Sequence, residues 1–163
     1  MPDLTTRTQL LEEISARLAD EGATEAGLRG VLDRVLAHVE GNVGTIHRWD
    51  ASSAMLQLET QRGVPDQLLP KITAIPQGKG MAGLAAERRE PVQVCDLQTD
   101  CSGVARPAAR ETGAQGSIAV PMLVSGQVRG VLGVAKTAAH DFEETEVRLL
   151  QQIAGRIGEA FGP

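Results

Sequence analysis

The sequence predicts an α+β domain in which an antiparallel sheet is wedged between two helical layers, and three observations predict it. Between Gly116 and Ala135, two runs of small and β-branched apolar residues flank Ser125-Gly126, a two-residue hairpin connection. Apolar residues fill both phases of the alternation in these runs, so both faces of the hairpin are expected to be buried, where an ordinary antiparallel sheet wets one. Apolar stripes of helical period at both ends of the chain supply a cover for one face. The 163 residues fit one domain, residues 1–163, with an N-terminal helix over 1–22 and a core over 24–161.

Residues 5–20 read as a first helix, with Leu11, Ile14 and Leu18 at three- and four-residue steps. Glu21-Gly22 ends it, and Thr24 is the expected N-cap of a second helix carrying Leu28, Val31, Leu32, Val35 and Val39, which Gly41 closes. Val43–Trp49 and Ala54–Thr60 read as strands joined across the polar turn Asp50-Ala51-Ser52-Ser53. Pro65–Ile72 is a short helix, Gly78–Arg89 a glycine-opened helix and Pro91–Leu97 a short apolar strand. Residues 98–115 have no usable period and are expected to form a loop with one turn of helix. After the hairpin a last helix starts near Asp141, which with Glu144 forms the expected capping pair. Its stripe of Val147, Leu150, Ala154, Ile157 and Phe161 has the spacing of a coiled-coil seam, and Leu149 and Ile153 add a second apolar edge. One edge is expected to pack on the sheet and the other to meet a partner helix; the alternative is a helix packed only on its own domain.

Composition removes several classes of function. Hydrophobic residues make up 42% and charged residues 23%, ordinary for a globular chain, but aromatics only 2%, so the core is built from aliphatic side chains. The net charge is −5 with no basic run, which argues against nucleic acid as a partner. No apolar run approaches the roughly 18–20 residues of a membrane span, and the first residues lack a secretory pattern. Two cysteines without an export signal predict a cytoplasmic protein.

Taken in order, Gly78-x-Gly80-x-x-Gly83, Pro91-Val92-x-Val94-x-Asp96, Ser117-x-x-x-Pro121, Gly130-Val131-Leu132-Gly133-Val134 and Phe142-x-x-x-Glu146-x-x-x-Leu150 resemble the GAF family of small-molecule sensor domains. The resemblance covers residues 24–161. It implies a three-layer, PAS-related fold: a sheet of five or six antiparallel strands, terminal helices on one face, and a pocket with short helices and loops on the other. It also implies pairing of the terminal helices in a homodimer, with Leu11, Ile14, Leu18, Val147, Leu150, Ala154, Ile157 and Phe161 as the expected interface.

Other chemistry is weaker. The glycine triplet followed by Asp96 fits a dinucleotide fingerprint, but Pro76-Gln77 interrupts the strand that should lead into it, the following helix is short, and a hairpin stands where further βαβ units belong. The glycines instead permit a tight turn and close helix–sheet contact. Cys95 and Cys101 lack the companions of a zinc site, and the nearby Asp96 and Asp100 would raise rather than lower a thiol pKa. One branch of the family is enzymatic, the free methionine-R-sulfoxide reductases. The resemblance would place their cysteines where this chain has Ala82 and Gly113-Ala114-Gln115, and a thiol mechanism needs its nucleophile. A small thiol redox enzyme using Cys95 and Cys101 and a ligand-free structural dimerisation module remain as alternatives. The cyclic-nucleotide signature and the bilin Cys-His pair of the family are absent. The single strand histidine, His47, is read as facing the helix-covered side, which disfavours haem.

The expectation is therefore a non-enzymatic sensor without metal or cofactor, acting on an output protein in trans or as a piece of a larger regulator. Its pocket lies under residues 98–115, with Arg106, Arg110, Thr112 and Gln115 above a wall of Thr45, His47 in its other orientation, Val94 and Val120. The arginines point to a small anionic or polar ligand.

Overall fold

A computed structural model describes residues 4–162 apart from 101, 103 and 106. Helix α1 (Leu4–Glu21) buries Leu10, Ile14 and Leu18, so Leu10 rather than Leu11 completes its inward stripe. Helix α2 (Glu25–Val39) starts where predicted: the Thr24 hydroxyl accepts from Gly27 N at 3.1 Å. It ends on Glu40, whose φ of 56° makes the left-handed cap expected of Gly41. Gly41 is small for another reason, since a Cβ there would lie 2.9 Å from Leu36.

Six antiparallel strands follow: β1 (Val43–Asp50), β2 (Met55–Arg62), β3 (Ala74–Pro76), β4 (Val92–Val94), β5 (Ser117–Val124) and β6 (Gln127–Ala135), in the spatial order β3-β2-β1-β6-β5-β4. Between β2 and β3 a 3-10 turn (Asp66–Leu68) runs into helix α3 (Leu69–Ile72). Helix α4 (Gly80–Arg88) joins β3 to β4, and α5 (Pro107–Arg110) is the single turn of helix expected before the hairpin. At the hairpin tip Ser125 and Gly126 both take positive φ, 52° and 78°, as a turn matching the twist of its strands requires.

Both faces of the sheet are covered, and the alternation decides what goes where. Ile46, Ile118, Val120, Met122, Leu132 and Val134 join α1, α2 and α6 (Glu144–Ala160) in one core. On the opposite face Leu56, Ala119 and Val131 pack with Ile75, Ala85, Ala86 and Val92, and a third cluster gathers Val94, Leu97, Ala114 and Ala135. Short β3 and β4 are antiparallel edge strands on opposite sides of the sheet, so the dinucleotide topology is absent. The glycine triplet serves the turn instead. Gly78 and Gly80 have φ of 83° and 65°, and a Cβ on Gly83 would stand 2.5 Å from the Pro76 carbonyl oxygen.

The last helix starts later than predicted. His140 N donates to the Cys95 carbonyl at 3.0 Å and Phe142 N to the Gln93 side chain at 3.1 Å, which holds 140–142 alongside β4. Glu143 and Glu146, not Asp141 and Glu144, form the reciprocal capping box of α6. Leu150, Ile153, Ala154 and Ile157 are wholly buried within the chain's own core, as are Ile14 and Leu18 nearly so. That corrects the assignment of Ile14, Leu18, Leu150, Ala154 and Ile157 to a partner surface: the seam is filled by α1 and the sheet. Leu11, Val147 and Phe161 pack against this core but remain partly exposed.

Candidate functional site

On the face away from the terminal helices, β1 alternation presents Thr45, His47 and Trp49 while Gly44, Ile46 and Arg48 turn to the helical layer. Above Thr45 lie the chain from Val64 to Ile75 and the α5 turn. Together they enclose a pocket of about 150 Å³ lined by Val43, Thr45, Val64, Leu68, Lys71, Ile72, Ile75, Ala109 and Thr112. A second lobe of about 120 Å³ shares Val43, Thr45, Ala109 and Thr112 and reaches Leu97, Ser117 and Gly133.

The covering segment is held by its own hydrogen bonds. Gln98 donates from its side-chain amide to the carbonyls of Arg110 (3.0 Å) and Ala114 (2.8 Å), and Leu97 N donates to the Gln115 carbonyl at 2.8 Å. Thr112 is saturated locally: its hydroxyl donates to the Ala109 carbonyl at 2.7 Å and accepts from Ala114 N at 3.1 Å. Lys71 lies 3.7 Å from Glu111, an ion pair that joins α3 to the α5 turn.

His47 is 1% exposed. Its Nε2 lies 2.8 Å from the Ile72 carbonyl, which can only accept, so that nitrogen carries the proton. Burial pushes the imidazole below its ordinary pKa, and Nδ1 has no partner among the described residues. The reading of His47 toward the helical side is therefore corrected. It is a neutral buried histidine tying β1 to α3 beside the pocket.

Of the predicted pocket residues, the structure brings together Thr45 and Thr112, with His47 on the same sheet face. Val120 belongs to the helical core, because its phase on β5 points it to the other side of the sheet. Val94 is buried in the neighbouring cluster. Gln115 bonds through its main chain to Leu97 and Lys136. Arg110 is exposed and donates to the Asp100 carbonyl, so it braces the loop instead of lining the pocket. Arg106 and Cys101 lie outside the described residues. Leu68, Lys71, Ile72, Ile75 and Ala109 also line the pocket; the sequence marks the first three only by the short-helix pattern over Pro65–Ile72, which does not say what it covers, and carries no signal for Ile75 or Ala109.

Cys95 is an exposed thiol pushed above its usual pKa, first by a hydrogen bond to the Asp141 carboxylate, then by desolvation and by the charges of Asp141 and Asp96. Ala82, on α4, is partly buried against the cluster of Leu56, Ala85 and Val131. On the helical side a larger cleft of about 340 Å³ is lined by charges of both signs, where His140 already pairs with Glu146 at 3.1 Å. No helix among the described residues is long and apolar enough to cross a membrane.

A six-stranded antiparallel sheet with terminal helices on one face and a covered pocket on the other defines the GAF class of domain. A model of the GAF domain matches residues 7–161, and the chain belongs to that family. Among solved structures it is similar to the GAF domain of a phosphoenolpyruvate-protein phosphotransferase from Coxiella burnetii, with a TM-score of 0.82, 20% identity, and coverage of 98% of this chain and 95% of that one. It is also similar to the free methionine-R-sulfoxide reductase of Neisseria meningitidis in complex with its substrate, with a TM-score of 0.80, 21% identity, and coverage of 99% and 92%. At these identities the likeness establishes the fold. A curated relative, Protein YtsP of Bacillus subtilis, is 29% identical over 96 residues, 59% of this chain and 56% of its own length. The chain thus aligns with little more than half of that relative.

Proposed function

We propose that this chain is a non-enzymatic sensor domain that binds a small molecule in the pocket closed by the α5 turn and Thr112, within the 98–115 segment, and signals through its terminal helices. The observation that carries the reading is the pocket at Thr45, bounded by β1, α3 and the α5 turn, on the opposite face of the same strands that support the helices. Occupancy shifts the packing of α6, by favouring whichever arrangement of the sheet binds the ligand better. The output is a homodimer whose contacts use the partly exposed Leu11, Val147 and Phe161, acting on a protein in trans or within a larger regulator.

The reductase reading draws on the likeness to the Neisseria protein. Against it stand Ala82 and Gly113-Ala114-Gln115 at the positions where the reductase branch carries cysteines, and a Cys95 thiol held in its protonated form. Native mass spectrometry of protein freshly purified from cells tests the sensor reading, with amide exchange of α6 measured before and after the adduct is stripped. The expected result is a defined added mass whose removal alters exchange in α6. Bare protein mass, an adduct whose removal leaves α6 exchange unchanged, or sulfoxide turnover with a thiol reductant that is lost in Cys95→Ser, overturns it.

A further inference from the structure

The anionic ligand suggested by the arginines of the covering segment does not match the walls of the pocket, and the walls name a different class. Apart from Lys71, every side chain lining the two lobes is uncharged, and Lys71 is already paired with Glu111. Thr112 has spent its hydroxyl on Ala109 and Ala114. His47 spends its proton on Ile72 and is neutral. In the lobe of about 150 Å³ the Thr45 hydroxyl is left: no hydrogen bond engages it among the described residues, it lines both lobes, and it sits against Gly133, where a Cβ would be 2.6 Å from its oxygen. Gly133 thus keeps open the space in front of the one side-chain hydroxyl that both lobes share and that no local hydrogen bond occupies; the Ser117 hydroxyl reaches the second lobe alone.

Bringing a carboxylate into such a site strips its hydration with only Lys71, half exposed and facing Glu111 at 3.7 Å, to replace it, whereas one hydroxyl can be matched by one hydrogen bond. A largely apolar pocket of about 150 Å³ is also large enough for a benzene-sized molecule. Resting on the sensor reading above, we infer that the ligand is a neutral, compact hydrophobic molecule, aliphatic or a single ring, with one hydrogen-bonding group placed at Thr45.

A matched series of probes on the full chain tests this: p-cresol, toluene and p-toluate, which share a ring and methyl group and differ in carrying a hydroxyl, nothing or a carboxylate. Binding is followed by amide chemical shifts and calorimetry. The expected result is saturable binding of p-cresol with shifts at Thr45, Ala109 and Thr112, at least tenfold tighter than p-toluate. Thr45→Val should weaken p-cresol about two- to tenfold, the worth of one hydrogen bond, and leave toluene unchanged. Ala109→Leu, which fills the space, should abolish binding of both while the protein stays folded by circular dichroism. Binding of p-toluate as tight as p-cresol overturns the ligand class but leaves the sensor reading intact. Absence of saturable binding by all three probes overturns the hydrophobic site, and the purified protein's native mass then decides the sensor reading separately.

Discussion

Whether the apolar stripe of α6 belongs to this chain or to a partner is decided by Ile157→Ala. Ile157 has no exposed surface and lies in the core formed by α1, α2, α6 and the sheet. The substitution removes its γ and δ carbons, worth about 0.8 kcal/mol for each buried carbon. Gly158 beside it already brings α6 close to β5, with a Cβ there placed 3.2 Å from Met122, so the helix has little room to settle into the void. Adding a cavity term of about 24 cal/mol per Å³ of unfilled space brings the expected loss to about 3–4 kcal/mol, inside the range found for buried aliphatic truncations. For a domain of this size that lowers the melting temperature by roughly 6–16 °C. The assay is thermal and urea unfolding at two protein concentrations a hundredfold apart. A loss that is the same at both concentrations supports an intramolecular core. A loss that shrinks or grows with dilution, as coupled dimer dissociation requires, or one below about 1 kcal/mol, refutes the reasoning.

Three further outcomes follow. Thr24→Ala should cost about 1 kcal/mol by orphaning the Gly27 amide at the start of α2, read as a lower urea midpoint at unchanged slope. Gly83→Ala should cost about 1–3 kcal/mol, because its methyl group meets the Pro76 carbonyl backbone; a fully stable variant would show that the α4 turn does not need the glycine. Burial lowers the pKa of His47, and of His38 to which Arg34 and Arg7 add, below the ordinary 6.5, so the unfolded chain binds more protons in that window. The associated stability is present above pH 6.5 and is lost as pH falls toward the folded-state values. Urea unfolding at successive pH values should show that decline, with a shallower slope in His47→Gln; an unchanged slope would mean that His47 is not the group responsible.

The sheet was legible because burial leaves a period in the sequence. Apolar residues on both phases of β5 and β6 announced a sheet covered twice, and Thr24 announced its helix. The pocket was less legible, since its walls come from segments with no period linking them. Nothing in Pro65–Ile72 specifies that Leu68 and Ile72 close over Thr45, and β3 is too short for alternation to register. The arginine expectation failed at Arg110 because a long side chain in a loop satisfies itself on the nearest carbonyl, here Asp100. The same economy explains α6. A stripe with seam spacing is equally the stripe of a helix packed on a sheet, and only the position of α1 and β5 distinguishes them. The capping pair moved because Asp141 is engaged at Cys95, a contact across 46 positions that local spacing cannot express.

The sheet itself explains how a pocket on one face can reach helices on the other. Pocket and helical layer share strand β1, whose neighbouring residues face opposite ways: Thr45 into the pocket, Gly44 and Ile46 into the helical core. At Gly44 the contact is close, since a Cβ would lie 2.7 Å from Leu32 of α2. Across the β1–β6 ladder, Gly133 is opposite Thr45 and Leu132 is opposite Ile46, so the same two strands hold the pocket floor and the helix seat in register. Close-packed interiors do not deform continuously; a shifted strand must be met by a shifted neighbour. In the proposed sensor, a ligand bearing on Thr45 would press on backbone whose next residues, one step either way, carry α2 and the core in which α6 is seated, with no lateral relay through loops.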